Sequence, residues 1–456
     1  MNFYGEVLYN TAREFFCPLQ GEEKYCTEGF KELALIYGAT EESYRKTSAL
    51  LNRMRHQNAS GTPSRTIRET SEREGLMIAD HLEQQTLMIF KVHNFTPEGA
   101  PQASILDSLA DSTPMGEEEC LHEAPLPERL PALSQREMMP DLVSDEEAAD
   151  AVEASVEGIS TQVINELVMR HGLCDASRLE MIKNPVSYEG GEEVVNISVD
   201  DVGAKKQKET REPKPHSPPG KKKRVYVQNT VIHVEQGDQF YLLNGYGVLS
   251  VLRLLLAFLL HNDLWGHLWV FFVDGNGLYS SVMQCFCWYP KVSVILDWYH
   301  LQKKCRELLS MAFKGSQLRN AALEELMPLL WYGLVDQAID YLSHIPEGQI
   351  KNQDELMHLM TYLGRNRVMI PVYAVRRELG LRNSSNRGEK ANDVLVAARQ
   401  KHNGMSWSKS GSVALASVTA LKKNKTYKTW FQERKIEFKR HCSKGSVSCV
   451  PPARLV

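Results

Sequence analysis

The sequence predicts an α/β protein with a mixed sheet in mid-chain and helices on either side of it. Three observations carry this. Strand-like alternation and short apolar runs are confined to residues 194–296. Those runs come first as three in succession and then alternate with helical patterns, which suits an antiparallel meander followed by parallel pairing. Residues 1 to about 95, and almost everything after Tyr299, read with the period of helices.

The elements follow in order. In "ATEESYRKTSALLNRMRHQ", Thr40 reads as the N-cap, with Glu41 and Glu42 in the first turn. Leu50, Leu51 and Met54 fall on one face of that helix, and Arg45, Lys46, Arg53 and Arg55 on the others. "NASGTPS" breaks the helix at Gly61 and Pro63, and "RTIRETSEREG" resumes it. Helix, turn and basic helix fit either a helix-turn-helix DNA reader or a plain helical hairpin. Residues 96–150, rich in Pro, Ser, Ala and acids, read as a flexible linker, and a helix restarts before Gly172.

"VVNISVD" alternates and reaches Asp200. "RVYVQNTVIHVEQGDQFYLLNG" gives two strands joined by a turn at Gln236–Asp238. "GVLSVLRLLLAFLLHNDL" is a buried helix, too short to cross a membrane and interrupted by Arg253. "LWVFFVD" and "VSVILD" are strands, with a helix around Tyr279–Trp288 between them. Later helices cover "LQKKCRELLSMAFKG", "LRNAALEELMPLLWYGLVDQAIDYLSHI", "NQDELMHLMTYLGRNR" and "GEKANDVLVAARQKHNG". No internal repeat is evident.

Composition narrows the class. The N-terminus lacks the basic start and cleavage site of a signal peptide. The nine cysteines show no paired spacing, which predicts reduced thiols in the cytoplasm, with nucleoid association when bound to DNA. Cys285 and Cys287 read as packing residues rather than zinc ligands. Residues 96–150 hold fourteen acids against two arginines, a net charge of −12. The whole chain carries −4, so the remainder carries +8, a balance compatible with nucleic acid as partner.

Asp200 ends the first strand, Asp274 ends the fourth, and Glu389 starts a late helix. Three carboxylates so placed have the layout of ribonuclease-H-like nucleases and transposases. There, oxygen ligands hold two Mg²⁺ ions across a phosphodiester. Any one of these acids could instead be a solvated turn.

Longer stretches are more specific. "ILDWYHLQKKCRELLSMA", "GRNRVMIPVYAVRRELGLRNSSNRGEKAND" and "ARQKHNGMSWSKSGSVALASVTAL" closely resemble insertion-sequence transposases of the ISLre type, in the Mutator-like group of DDE transposases. "ISVDDVGAKKQKETR" and "WVFFVDG" resemble that family's strands, and the likeness covers most of residues 194–421. It implies a DNA transposase that cleaves element ends and joins the 3′-hydroxyls to target DNA. It implies two Mg²⁺ ions (or Mn²⁺), transposon-end and target DNA as partners, and a homo-oligomer on DNA. Metal ligands and catalytic residues would be Asp200, five positions before Lys205, with Asp274 before Gly275, and Glu389 in "SSNRGEKAND". Asp201 remains an alternative to Asp200.

Asp297 and His300 of "DWYH" match the place where relatives carry a Cys-x-x-His pair, and would support the site or touch DNA. A further reading makes Asp297 itself a ligand. Candidate DNA contacts are Lys205, Lys206, Lys208, Arg211, Arg365, Arg367, Arg376, Arg377, Arg382, Arg399, Lys401 and His402, with Trp407 able to stack on a base.

The expected organisation is a helical DNA-binding region at 1–95, an acidic linker at 96–150 and a helical connection at 151–193. A ribonuclease-H-like core follows at 194–305 and 383–421, interrupted by a helical insertion at 306–382, with a basic tail at 422–456. Gly388 departs from the apolar residue the family pattern leads one to expect. The rival readings are a nuclease of the same fold without strand transfer, and an inactive DNA-binding derivative.

Overall fold

The computed structural model describes residues 28–40, 43–54, 56, 62–110, 159–186, 194–207, 225–275, 277–401 and 405–442. Arg55, Lys208, Arg211 and His402 lie outside the described residues, as do most of the acidic segment and the last fourteen positions of the basic tail.

The elements are α1 (Glu28–Thr40), α2 (Tyr44–Met54), α3 (Ser64–Val92), α4 (Ala103–Ala110), α5 (Ile159–His171), α6 (Asp175–Ile182), β1 (Val194–Lys205), β2 (Tyr226–Gln236) and β3 (Gln239–Gly245). Then come α7 (Val248–His261), β4 (Leu268–Val273), α8 (Leu278–Phe286), β5 (Val292–Leu296), α9 (Trp298–Ala312), α10 (Ser316–Trp331), α11 (Val335–Ser343), α12 (Gln353–Asn366) and α13 (Tyr373–Glu378). The chain closes with α14 (Asn386–Asn392), running on through a π-helical turn at Asp393–Ala397, then α15 (Lys409–Lys423), α16 (Tyr427–Glu433) and β6 (His441–Cys442).

This is a mixed α/β protein. Its six strands lie in the order β5-β4-β1-β2-β3-β6. The β1–β2–β3 meander is antiparallel, and β1/β4 and β4/β5 are parallel. The central strands are apolar on both faces because helices cover both. On one face α7 packs on β2 and β3, and its Leu252, Leu255, Leu256 and Leu259 join one apolar cluster with Ile232, Val234, Tyr241 and Leu243 and with Val195, Ile197 and Val199 of β1. On the other, Ala391, Leu395, Val396, Ala416 and Ala420 pack on Val202, Val231 and Leu242. Among the described residues no helix is long and apolar enough to cross a membrane. Arg253 leaves the apolar face of α7 for a two-bond clasp on Glu83 of α3 (2.6 and 2.9 Å).

Several expectations change. The α2 cap is Ser43, whose Oγ accepts from the Lys46 N–H at 3.2 Å, whereas the Thr40 hydroxyl closes α1 on the Ile36 carbonyl. Met54 is exposed, and the buried face of α2 instead carries Thr47, Ser48, Leu51 and Asn52. Ser48 and Asn52 are satisfied there by the Thr62 backbone.

The linker begins later than expected. Thr96 and Ala100 close a backbone turn, Phe95 pairs with Pro101, and the Phe95 ring packs on Trp288 at 5.4 Å. α15 went unrecognised as a helix. It is buried on nearly every side, so it has no amphipathic period to read. It lies against α3 so closely that a Cβ on Gly75 would overlap Ala414. The tail is folded as far as Cys442: Trp430, Phe431 and Ile436 join one apolar cluster, Phe438 joins another, and β6 pairs with β3.

Candidate active site

Strand register assembles the site. β1 and β4 run parallel with Ser198 beside Phe272, so two residues further on Asp200 stands beside Asp274. β4 and β5 pair Val273 with Leu296, so the next residues, Asp274 and Asp297, are also neighbours. Asp274 and Asp297 thus follow the ends of β4 and β5, whereas Asp200, expected at the end of the first strand, lies within β1, which pairs with β2 as far as Lys205.

Their environments differ. Burial, and then the charge of Asp274, push the Asp200 carboxyl up to about 6, against the opposing pull of the Asp201 N–H and of His300. The Asp201 N–H donates to Asp200 Oδ1 at 2.7 Å, and the Asn392 amide donates to Oδ2. Asp201 itself accepts from Thr230 Oγ1 at 2.6 Å and is exposed. Asp200 is therefore the member of the pair turned toward Asp274.

Asp297 is closed off. It is 1% exposed and caps α9, accepting from the His300 N–H at 3.1 Å, from Ser384 Oγ at 3.2 Å and from the Ser385 N–H. Burial opposes its ionisation, but the bonds from His300 and Ser385 outweigh that and hold its carboxyl below the ordinary range. His300 carries the link onward: Nδ1 lies 3.4 Å from Asp297 Oδ1, and Nε2 lies 3.3 Å from Glu389 Oε1. The Asp297 contact raises the His300 pKa first. Burial opposes this, while the charges of Asp297, Glu389 and Asp274 add to it. One imidazole therefore couples electrostatically to every carboxylate at this sheet edge.

Glu389 reaches the sheet because residues 382–388 are fastened from several sides. The Trp298 N–H donates to the Asn383 carbonyl at 3.0 Å. Arg376, fully buried, donates through Nε and NH2 to the Arg382 carbonyl (3.0 and 2.6 Å). Arg382 and Arg387 both bind Glu235 of β2, which is only 2% exposed. Such charge-assisted pairs fix geometry as well as adding stability. Gly388 then lies directly on β1, where a Cβ would overlap the Ser198 Cβ. The departure from an apolar residue at 388 is thus the point where α14 touches the strand that carries Asp200. Across the site, Asn366 is buried at the end of α12, and Asp274 is among the charges raising the Tyr362 phenol above its usual range, after burial and Cys305.

Among the described residues, no group of three or more His, Cys, Asp or Glu side chains is already gathered to hold a metal ion. The charge of Asp274 acts on Asp200, and the two form an anionic pair that a cation would relieve. Their oxygen donors suit a hard divalent ion, and Glu389 rests on His300.

The basic candidates divide. Arg376 and Arg399 are buried. Arg399 is 4% exposed, donates to the Gly38 carbonyl and stacks on Tyr44 and Trp407 (4.9 and 5.3 Å). Trp407 is 6% exposed, donates Nε1–H to Gln400 and extends β1 through backbone bonds, so it presents no face to a base. Arg367 pairs with Asp336. Lys205, Arg365, Arg377 and Lys401 are exposed and Lys206 is half-buried. At a strand rise of about 3.3 Å, Lys205 lies about 17 Å beyond Asp200.

Glu235, Ser384, Ser385, Asn392 and Tyr362 went unnoticed in the sequence. Asn392 had a usable signal, since three residues after Glu389 is the same face of a helix. Glu235 had none, because its partners lie 147 and 152 residues away. No protein-family model, curated protein or solved structure matches the chain.

Proposed function

We propose that the chain is a ribonuclease-H-like DNA transposase of the Mutator-like DDE group, with Asp200, Asp274 and Glu389 as its metal-binding carboxylates. The observation that carries this reading is the parallel register that sets Asp200 beside Asp274, with Glu389 one imidazole away on His300. The strand order, with an antiparallel meander flanked by two parallel strands, supports the fold assignment. The likeness of "ILDWYHLQKKCRELLSMA" and "RNSSNRGEKAND" to ISLre-type transposases supports the family.

Divalent ions of the Mg²⁺ kind would supply Lewis acidity at the attacking water or 3′-hydroxyl and at the departing oxygen. The chain's own residues do the rest. Asp200, from within β1, and Asp274, from the end of β4, present oxygen donors on a rigid sheet. Asn392 orients Asp200, and the Asp297–His300 pair orients Glu389. Glu235, through Arg382 and Arg387, holds the segment that delivers Glu389.

The test uses full-length protein with DNA carrying the segments that flank its coding region. Strand cleavage followed by joining of 3′-hydroxyls, dependent on Mg²⁺ or Mn²⁺ and stopped by EDTA, is expected. Cleavage without joining would leave a nuclease, and full activity in EDTA would overturn the metal assignment.

A further inference from the structure

Beside the carboxylates lies a surface that none of the site residues uses. An open cleft of about 680 Å³ runs along the outer face of α9 to the start of α10. Tyr299, Lys303 and Arg306 line it at the spacing of one helix face, with Gln302 and Glu307 beside them and Arg319 opposite. Tyr299 lies two residues after the Asp297 cap, and its ring meets that of His300 edge-on at 5.6 Å, which puts this end of the cleft next to the site. Neither Lys303 nor Arg306 forms an ion pair among the described residues. The guanidinium of Arg319 bonds only to neutral oxygens, Asn320 Oδ1 (3.1 and 2.8 Å) and Ser310 Oγ (3.3 Å). Three cations thus share the lining with one carboxylate, Glu307.

We infer that this cleft binds an unpaired DNA strand that continues past the cleavage point. Lys303, Arg306 and Arg319 neutralise its phosphates, and Tyr299 stacks on the first base. The inference rests on the proposed DNA-cleaving site. Charge complementarity identifies the partner. The exposed Tyr299 ring offers a face that any unpaired base can stack on, which favours a single strand over a duplex. From Tyr299 to Arg306 the lining extends about 10.5 Å along the helix.

The experiment compares two flank-DNA duplexes, one blunt and one with a five-nucleotide single-stranded extension, bound to full-length protein over a salt series. The parent should prefer the extended duplex. The triple variant Lys303→Ala/Arg306→Ala/Arg319→Ala should lose that preference, and its slope of log affinity against log salt should fall by about 2. Tyr299→Ala should weaken extended-duplex binding about tenfold, with the slope unchanged. A control triple at the opposite sheet edge, Lys428→Ala/Lys435→Ala/Lys439→Ala, should keep the preference. Retained preference in the groove triple, or equal loss in the control, overturns the inference. Metal-dependent cleavage by a parent with no preference for the extension would refute the cleft alone. Preference without cleavage would refute the proposed activity and leave the cleft standing.

Discussion

Gly388→Ala isolates the contact that brings Glu389 to the sheet. Gly388 has an ordinary negative φ, so alanine brings no backbone strain there, only volume. The added Cβ would overlap the Ser198 Cβ and lie 3.1 Å from its Oγ. To recover a normal carbon–carbon separation of about 3.5–4.0 Å, α14 and β1 must part by about 1 Å. The helix cannot tilt away freely, because Ala391, Leu395 and Val396 are buried on the same face of the sheet. Overpacking of this kind costs about 1–3 kcal/mol. A displacement of about 1 Å in a catalytic group costs about a hundredfold in rate. Urea unfolding should show the first effect and metal-dependent strand cleavage the second. Ser198→Gly removes the atom that is struck, so the double variant should recover much of both losses, giving a clear coupling energy. A single variant as stable and active as the parent, or a double variant whose losses simply add, would refute this account of Gly388.

Asp297→Asn places an amide where Ser385 and His300 N–H groups both donate, leaving a buried donor unmatched. It should cost about 1–3 kcal/mol in a denaturant titration. Arg399→Ala should destabilise the fold by about 2 kcal/mol through lost ring stacking and the lost Gly38 bond, yet leave the salt dependence of DNA binding unchanged, because Arg399 is buried.

His233 supplies a pH test. Burial, then the charges of Arg387 and Arg382, push its pKa down to about 3. Glu235 lies 3.9 Å away and would raise it, but both arginines already neutralise that carboxylate. The unfolded chain binds the proton below about 6.5 and the folded chain refuses it until about 3. Stability should therefore fall by about 1.4 kcal/mol per pH unit as pH drops through that window. His233→Gln should flatten the dependence by that amount; an unchanged slope would show that His233 is not the group responsible.

The strands and most helices were legible because their periods are strong, and Asp274 and Glu389 stood out as candidates by their places at element ends. Asp200 and Asp201 could not be separated by alternation alone; parallel pairing with β4 and the Thr230 bond to Asp201 separate them. Charge did not reveal exposure: Arg376 and Arg399 read as DNA contacts, yet both are interior struts whose carbonyl partners lie elsewhere in the chain. Small residues concealed α15, since Gly411, Ser412, Ala414, Ala416 and Ser417 pack on all sides and leave no polar face. The clamp on Glu235 depends on tertiary distance alone, which no local pattern encodes.

The central claim is that Asp274 is a metal-binding carboxylate and Asp297 a structural one, although both end apolar strands side by side. The most direct measurement is Mg²⁺-dependent strand cleavage by Asp274→Asn and Asp297→Asn on the same flank DNA, below the melting temperature of each and with binding followed in parallel. Asp274→Asn should bind DNA and cut nothing, while Asp297→Asn should still cut. Normal cutting by Asp274→Asn, with Asp297→Asn folded, bound and silent, would contradict the assignment and move the ligand to the aspartate that caps α9.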